Sequence, residues 1–199
     1  MLLQTEEVLG ESDQRPKNIE IARATVQLSR PFIRCWTDGS VLPSNPGPGG
    51  WAFYAYYTTS KGERVELKRS GSNPFTSNIR MELIAVLRLL QCLKKPSRVF
   101  FLTDSQYIID GLRNMRRDKL LKTHYDVWGL ILHLSQVHQI STSKVKAHSG
   151  VEENEMVDFL AKKAAREQLG DPFMWPTETI MAKLLNEQKS VERIHWEKT

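Results

Sequence analysis

The sequence predicts a mixed α/β sheet with helices packed against it. Three strand patterns follow one another between residues 32 and 72, and helical and strand patterns alternate from residue 77 to residue 168. Strands joined by short turns pair antiparallel, whereas strands joined through a helix can pair in parallel. The 199 residues, of which 40% are hydrophobic, suffice for one domain with a full core and terminal tails.

The antiparallel part is predicted from its strand patterns and the turns between them. A strand over Phe32–Thr37 leads into Asp38, and residues 43–50, which are rich in Pro and Gly, predict a loop. Trp51–Thr59 and Arg64–Ser72 predict two further strands that flank a turn. Together the three strands predict a meander.

The second half of the sheet is predicted from helical and strand patterns of apolar residues that alternate along the chain. An apolar stripe predicts a helix that begins at Ser77 and ends before Pro96. The continuous apolar run Val99–Leu102 predicts a strand that is covered on both faces. The remaining patterns predict helices at 105–113 and 125–136, a strand at 139–145 and a helix at 152–168.

The two ends of the chain lie outside this predicted domain, which spans residues 31–169. Residues 1–30 lack a sustained period and predict a weakly ordered tail. Residues 170–199 predict an amphipathic helix that docks on the body or on a partner. The apolar residues of this extension recur at helical spacing: Ile180, Met181, Leu184, Leu185, Val191 and Ile194.

Composition and charge restrict the class of partner and the compartment. The formal net charge of +5 favours an anionic partner, although ordinary surface lysines would give the same balance. Cys35 and Cys92 lie in apolar runs, as small core residues of a reducing compartment do. No apolar run approaches a membrane span, and the acidic N-terminus argues against a presequence. We therefore expect an intracellular, cytoplasmic protein without a membrane partner, or a nuclear one if the source is eukaryotic.

Four carboxylates stand at predicted strand ends or on core-facing helix positions: Asp38, Glu82, Asp104 and Asp158. A strand–helix–strand crossover would set Asp38 and Asp104 side by side, with Glu82 on the crossover helix. Buried carboxylates are costly unless they are neutralised, and Mg²⁺ and Mn²⁺ prefer oxygen ligands. The set therefore predicts a site for two divalent cations, which lie about 3.5–4 Å apart in sites of phosphodiester hydrolysis. Each acid alone would be explained as a cap, a turn residue or a solvated charge.

Ordered motifs surround these acids from about residue 32 to residue 168. They are Thr37-Asp38-Gly39-Ser40, Asn45-Pro46-Gly47-Pro48-Gly49-Gly50-Trp51, Asn78-x-Arg80-Met81-Glu82-Leu83, Thr103-Asp104-Ser105-Gln106-Tyr107, Asp126-x-Trp128, Val145-Lys146-x-His148-x-Gly150 and Asn154-Glu155-x-x-Asp158-x-Leu160-Ala161. In this order the motifs resemble type I ribonuclease H. The resemblance implies a five-stranded mixed sheet and metal-dependent endonucleolytic hydrolysis of the RNA strand of RNA–DNA hybrids. The implied products carry 3′-hydroxyl and 5′-phosphate ends.

The resemblance also implies roles for the catalytic residues. Asp38, Glu82, Asp104 and Asp158 would be the ligands of two Mg²⁺ ions, for which Mn²⁺ would substitute. His148 would shuttle protons or assist product release, which suits an imidazole that titrates near neutrality.

Five further residues are implied to contact the hybrid. Asn45, Asn78 and Gln106 stand where the family contacts the minor groove, and neutral amides offer both a donor and an acceptor to hydroxyl groups. Turn chemistry before a proline is the alternative for Asn45, and a helix cap is the alternative for Asn78. Ser77 and His124 replace the Thr and Asn that hold a DNA-strand phosphate.

The sequence also departs from the family pattern and leaves alternatives open. The basic protrusion of bacterial members is reduced to Arg113–Lys122, whose five basic residues predict a weaker grip on the hybrid or a solvated face. The alternatives are another nuclease of the superfamily, a domain of a reverse transcriptase or polymerase assembly, and a catalytically silent hybrid-binding module. Retention of the four acids and His148 argues against the silent module. We expect a monomer, and the C-terminal extension is a candidate site for a protein partner.

Overall fold

A five-stranded mixed sheet forms the centre of this computed structural model, which describes residues 30–115, 123–146, 150–168 and 170–173. The strands are β1 (Phe32–Val41), β2 (Gly47–Thr58), β3 (Arg64–Thr76), β4 (Arg98–Thr103) and β5 (Gln139–Lys144). The helices are α1 (Asn78–Cys92), α2 (Gln106–Met115), α3 (Tyr125–Ser135) and α4 (Glu152–Glu167). The described residues from Pro31 onward belong to one compact unit.

The strand order in the sheet is β3-β2-β1-β4-β5. The strands β1, β2 and β3 pair antiparallel, whereas β4 pairs in parallel with both β1 and β5. The predicted fold class, a meander followed by parallel strands and flanking helices, is therefore confirmed.

Two local predictions differ from the structure. Residues 43–50 were expected to form a loop, but Gly47–Gly50 begin β2, because Ser40 and Val41 of the longer β1 supply ladder partners for Gly50 and Gly49. The strand at Val99–Leu102 was expected to be covered on both faces. Phe100 and Leu102 are only partly buried, since they lie on the less covered face of β4.

Helices cover the two faces of the sheet unequally. On one face, α1 buries every position from Met81 to Leu90 except Glu82. Its apolar residues share a core with α2, α3 and one side of β1, β2 and β4. On the other face, α4 packs over Trp36, Ala52 and Tyr54 through Val157 and Ala161. The face of β1 that carries Trp36 therefore also carries Asp38, because side chains alternate along a strand.

A short segment after α4 is fixed to the body of the domain. The guanidinium of Arg88 in α1 is fully buried and donates two hydrogen bonds, of 3.0 and 2.5 Å, to Asp171. Gly170 and Ser72 of β3 are joined by two hydrogen bonds of 2.8 Å. We refer to residues 170–173 as the C-terminal strap.

Several predictions fall on residues outside the described parts of the chain. These are the tail at 1–29, the basic residues from 116 to 122, His148 and the amphipathic extension from 174 to 199. Among the described residues, no helix is long and apolar enough to cross a membrane.

Candidate active site

Asp38 and Asp104 lie at the same end of the two central strands. The parallel register of β1 and β4 places Trp36 opposite Leu102, and each aspartate follows two residues later on the same face. Asp38 lies within β1, whereas Asp104 directly follows β4. The predicted juxtaposition of the two strands is therefore present.

Glu82 reaches this end of the sheet because α1 packs directly on β1. A methyl group at Gly39 would lie 2.2 Å from the backbone nitrogen of Glu82, so only glycine allows this approach. The hydroxyl of Ser105 donates a hydrogen bond to one oxygen of the Glu82 carboxylate. The amide of Asn78 donates to the other oxygen at 3.3 Å. Both carboxylate oxygens are therefore oriented by neighbouring side chains.

Asp158 comes from α4, on the opposite helix layer. This helix approaches β2 closely, because a methyl group at Gly50 would lie 2.2 Å from the carbonyl oxygen of Ala161. The ammonium of Lys162 lies 2.8 Å from the Asp158 carboxylate, one helical turn away. Asp158 is therefore placed by backbone packing and partly neutralised by its own helix.

Neighbouring acidic charges act on the carboxylates of Asp38 and Glu82. Burial raises the pKa of Asp38 from 3.8 to about 8; a hydrogen bond from the Gly39 backbone opposes this shift, and the charges of Asp158, Asp104 and Glu82 add to it. Burial also raises the pKa of Glu82; the Ser105 hydrogen bond opposes that increase, and Asp104 adds to it. The four acidic groups thus lie near one another at this end of the sheet, where a positive charge would relieve their repulsion.

The donor set suits a hard divalent cation, because all four side chains offer carboxylate oxygens. Among the described residues, however, no three acidic, histidine or cysteine side chains are already close enough to hold an ion. The acids are grouped around the sheet end without forming a closed set of ligands.

Comparison with known proteins identifies the family. The ribonuclease H family model matches residues 32–166. A ribonuclease H of Gluconobacter oxydans (strain 621H) is 39% identical over 150 residues, which cover 69% of this chain and 95% of that protein. The chain belongs to the ribonuclease H family. It is therefore a nuclease of the hydrolase class, with ribonuclease activity on RNA–DNA hybrids.

Solved structures of ribonucleases H share the fold. LC9-RNase H1, a type 1 enzyme with the type 2 active-site motif, has a TM-score of 0.62 and 27% identity, and the alignment covers 70% of this chain and 74% of that chain. LC11-RNase H1, solved in complex with an RNA/DNA hybrid, has a TM-score of 0.53 and 24% identity, with coverages of 69% and 99%. The predicted resemblance to ribonuclease H is confirmed.

The proposed minor-groove residues border the acids and contact one another. The side-chain oxygen of Asn45 accepts a hydrogen bond of 3.2 Å from the backbone of Asn78, the first residue of α1. The N-cap of α1 is Ser77 rather than Asn78, because the Ser77 hydroxyl accepts from the Arg80 backbone. Asn45 therefore links the β1–β2 connection to the start of the helix that carries Glu82.

Gln106 lies on the other side of Asp104, at the start of α2. Its amide nitrogen donates to Asp110 at 3.0 Å, and its amide oxygen accepts from Lys144 at 3.0 Å. Both bonds are exposed, so a hydroxyl group of a hybrid could exchange with them.

Ser77 and His124 are connected through Arg80. The Arg80 guanidinium pairs with Asp126 at 2.5 Å, in the first turn of α3. His124 precedes that helix with a positive φ of 57°, and burial together with Arg80 lowers its pKa, while Asp126 opposes the decrease. The two residues implied to hold a DNA phosphate therefore lie at the starts of two helices that one ion pair joins.

The sequence prediction did not assign roles to two side chains that contact the acids. Lys162 follows Asp158 by four residues on a helix, and this spacing alone would have indicated the pair. Ser105 appeared only as a flank of Asp104, and no local pattern connects it with Glu82. His148 lies outside the described residues, so its role stays a prediction.

Proposed function

We propose that the chain hydrolyses the RNA strand of RNA–DNA hybrids endonucleolytically with two divalent ions, leaving 3′-hydroxyl and 5′-phosphate ends. One observation carries the proposal: the strand register and the helix packing bring Asp38, Glu82, Asp104 and Asp158 to the same end of the sheet. There the other three charges add to the raised pKa of the half-buried Asp38. Bound Mg²⁺, or Mn²⁺ in its place, would supply a nucleophilic water and stabilise the leaving oxygen.

In this proposal the chain's own residues hold and orient the reacting groups. Asp38, Glu82, Asp104 and Asp158 are the ion ligands. Their convergence, the two hydrogen bonds that orient Glu82 and the ion pair of Asp158 support this assignment. His148 moves a proton or assists product release.

The hybrid is held by the residues around the acids. Asn45, Asn78 and Gln106 contact 2′-hydroxyls and base edges in the minor groove, where RNA and DNA strands differ. Ser77 and His124 hold a phosphate of the DNA strand, and their positions at helix starts offer backbone N–H donors to an anion. The hybrid bound in the LC11-RNase H1 structure agrees with this substrate class.

The experiment is gel analysis of end-labelled RNA–DNA, RNA–RNA and DNA–DNA duplexes with Mg²⁺, Mn²⁺ or EDTA. The proposal expects cleavage of the RNA–DNA hybrid alone, within the RNA strand and only with a metal ion. Enzymatic extension of the fragments checks their 3′-hydroxyl ends. Hybrid binding without cleavage would favour the silent binding module, and activity only with an added polymerase would favour the assembly.

A further inference from the structure

Apolar side chains on the α1 face of the β2–β3 hairpin are incompletely covered beside the end of α1. Tyr57 is opposite Val65, and Leu67 is two residues further along β3 on the same face. Val65 is 41% exposed, whereas Tyr57, Leu67, Cys92 and Leu93 are half-buried and pack at the edge of the main core. We refer to these five residues as the hairpin groove.

The last turn of α1 forms the second wall of this groove. Arg69 is in the same row of β3, and its charge acts on the thiol of Cys92 in α1. Burial raises the pKa of that thiol, while Arg69 and Arg88 lower it. The groove is therefore bounded by β3 on one side and by the end of α1 on the other.

The C-terminal strap ends at the inner end of this groove. Phe173 contacts Trp51 edge-on at 5.8 Å, and Trp51 is opposite Gly71, in the same row of β3 as Leu67 and Val65. The guanidinium of Arg88 lies 5.2 Å from the centre of the Phe173 ring. The chain thus continues toward residue 174 from a point that is already fixed on the groove's own row.

The segment that follows Phe173 in the sequence matches the hairpin groove in length and in its pattern of apolar residues. The row from Gly71 to Val65 is about 20 Å long at the usual rise of a strand. A helix from Ile180 to Ile194 would be about 21 Å long and would carry its apolar residues on one face. The chain between Phe173 and Ile180 spans at most about 24 Å, which is enough to place such a helix along the row.

We propose that residues 174–199 dock as an amphipathic helix in the hairpin groove of the same chain. The strap anchors the segment at the groove, so docking within the chain has an effective concentration on the order of millimolar. A second copy or another protein would have to compete with this tethered segment. The groove lies on the face opposite Asp38, so the inference does not rest on the proposed catalytic roles.

Cys92 reports directly on the occupancy of the groove. It is half-buried in the groove, whereas Cys35, the second cysteine of the chain, is fully buried in the core. An aromatic disulfide reagent added to the full-length native protein would therefore react at Cys92 alone. Docking of residues 174–199 would shield this thiol.

The test compares two full-length double variants of equal charge change. Leu184→Asp with Leu185→Asp disrupts the apolar face, whereas Ala182→Asp with Asn186→Asp changes the opposite face of the same helical pattern. We expect Cys92 of the apolar-face variant to react about tenfold faster than in the wild type, and the control variant to react at the wild-type rate. Equal rates in all three proteins would overturn the proposal.

Two further measurements establish which segment shields Cys92. Deletion of residues 174–199, which retains the strap, should accelerate the Cys92 reaction as much as the apolar-face variant does, with hybrid cleavage within about twofold of the wild type. The protection in the wild type should be independent of protein concentration. Protection that is lost on dilution would assign the groove to a second copy and would also overturn the proposal.

Discussion

At the scale of single residues, Asp38 carries the least favourable charge of the site. It lies at the point where a central strand, α1 and α4 meet, and burial together with three acidic neighbours raises its pKa to about 8. In the metal-free protein this carboxyl group binds a proton more tightly than in the unfolded chain, where its pKa is near 3.8. Function and stability therefore oppose each other at this residue.

The pH dependence of stability follows from this shift. For an acid whose folded pKa is raised, the stabilisation is complete below the unfolded pKa and is lost as the pH rises to the folded pKa. We expect the unfolding free energy of EDTA-treated protein to fall by about 3 kcal/mol between pH 4 and pH 8, after allowance for solvent screening. Asp38→Asn should remove most of this slope and abolish hybrid cleavage.

Urea unfolding at several pH values measures this effect, with Asp110→Asn, at a half-exposed side chain outside the site, as the control. Added Mg²⁺ should stabilise the wild type at pH 8 more than the Asp38→Asn variant, because a bound ligand stabilises the folded state. If the unfolding free energy fell with pH equally in the wild type and in Asp38→Asn, the titration of Asp38 would not be the cause of the pH dependence.

Ser105 has a positioning role that can be separated from folding. Its hydroxyl donates to Glu82 and favours the charged carboxylate, opposing the effect of burial. We expect Ser105→Ala to raise the Mg²⁺ concentration needed for half-maximal cleavage about tenfold, since such supporting hydrogen bonds tune metal affinity. Ser141→Ala is the matched control, because its hydroxyl donates only to the Val99 carbonyl in the described structure. An unchanged Mg²⁺ dependence in Ser105→Ala would contradict the role.

At the scale of elements, the ion pair between Arg88 and Asp171 joins α1 to the C-terminal strap. Arg88 is fully buried, and the substitution would remove the carboxylate with which its guanidinium pairs. We expect Asp171→Ala to lower the unfolding free energy by about 3–5 kcal/mol, measured by urea unfolding. Glu167→Ala, which breaks the exposed pair with Lys163, should change it by less than about 1 kcal/mol. A similar, small effect of both substitutions would contradict the structural importance of the strap.

The elements also show which features a sequence pattern can predict. The alternating strands and helices, and the acids at their ends, depend on local periodicity and were predicted closely. The start of β2 at Gly47 was not predicted, because its strand conformation depends on pairing with β1 and not on its own Pro- and Gly-rich composition. The pair of Arg88 and Asp171 joins residues 83 positions apart, and no local pattern predicts such a partner.

The site shows the same division between local and long-range features. The convergence of Asp38, Glu82 and Asp104 follows from a strand–helix–strand crossover and was predictable. The bond between Ser105 and Glu82 depends on the exact rotation of α1 over β4, which periodicity does not determine. The requirement for glycine at position 39 becomes visible only when the helix backbone is in place.

At the scale of the whole molecule, the basic residues at the end of α2 and directly after it are expected to contribute to binding of the hybrid. Arg113 is 58% exposed in the last turn of α2, and Arg116 and Arg117 follow it in the sequence. We expect the triple substitution of Arg113, Arg116 and Arg117 by Gln to raise KM far more than it lowers kcat. Each lost phosphate contact should also reduce the log–log salt slope of hybrid binding by roughly one unit.

Binding is measured in Ca²⁺, which suppresses cleavage. A control variant with Gln at Lys61, Lys94 and Lys95 has the same charge change at exposed positions outside this segment. Equal salt slopes for the two triple variants would show that the segment near α2 is a solvated face.

The most direct test of the four-carboxylate site is single-turnover cleavage of an end-labelled RNA–DNA hybrid as Mg²⁺ is varied. We compare the wild type with Asp104→Asn and with Glu155→Gln, an exposed acid on α4 that precedes Asp158 by three residues. We predict that Asp104→Asn lowers the rate at least about a thousandfold at every Mg²⁺ concentration, since a charge-bearing ligand of the reacting centre is lost, and that Glu155→Gln leaves the rate unchanged. Cleavage by folded Asp104→Asn at the wild-type rate would contradict the proposed site.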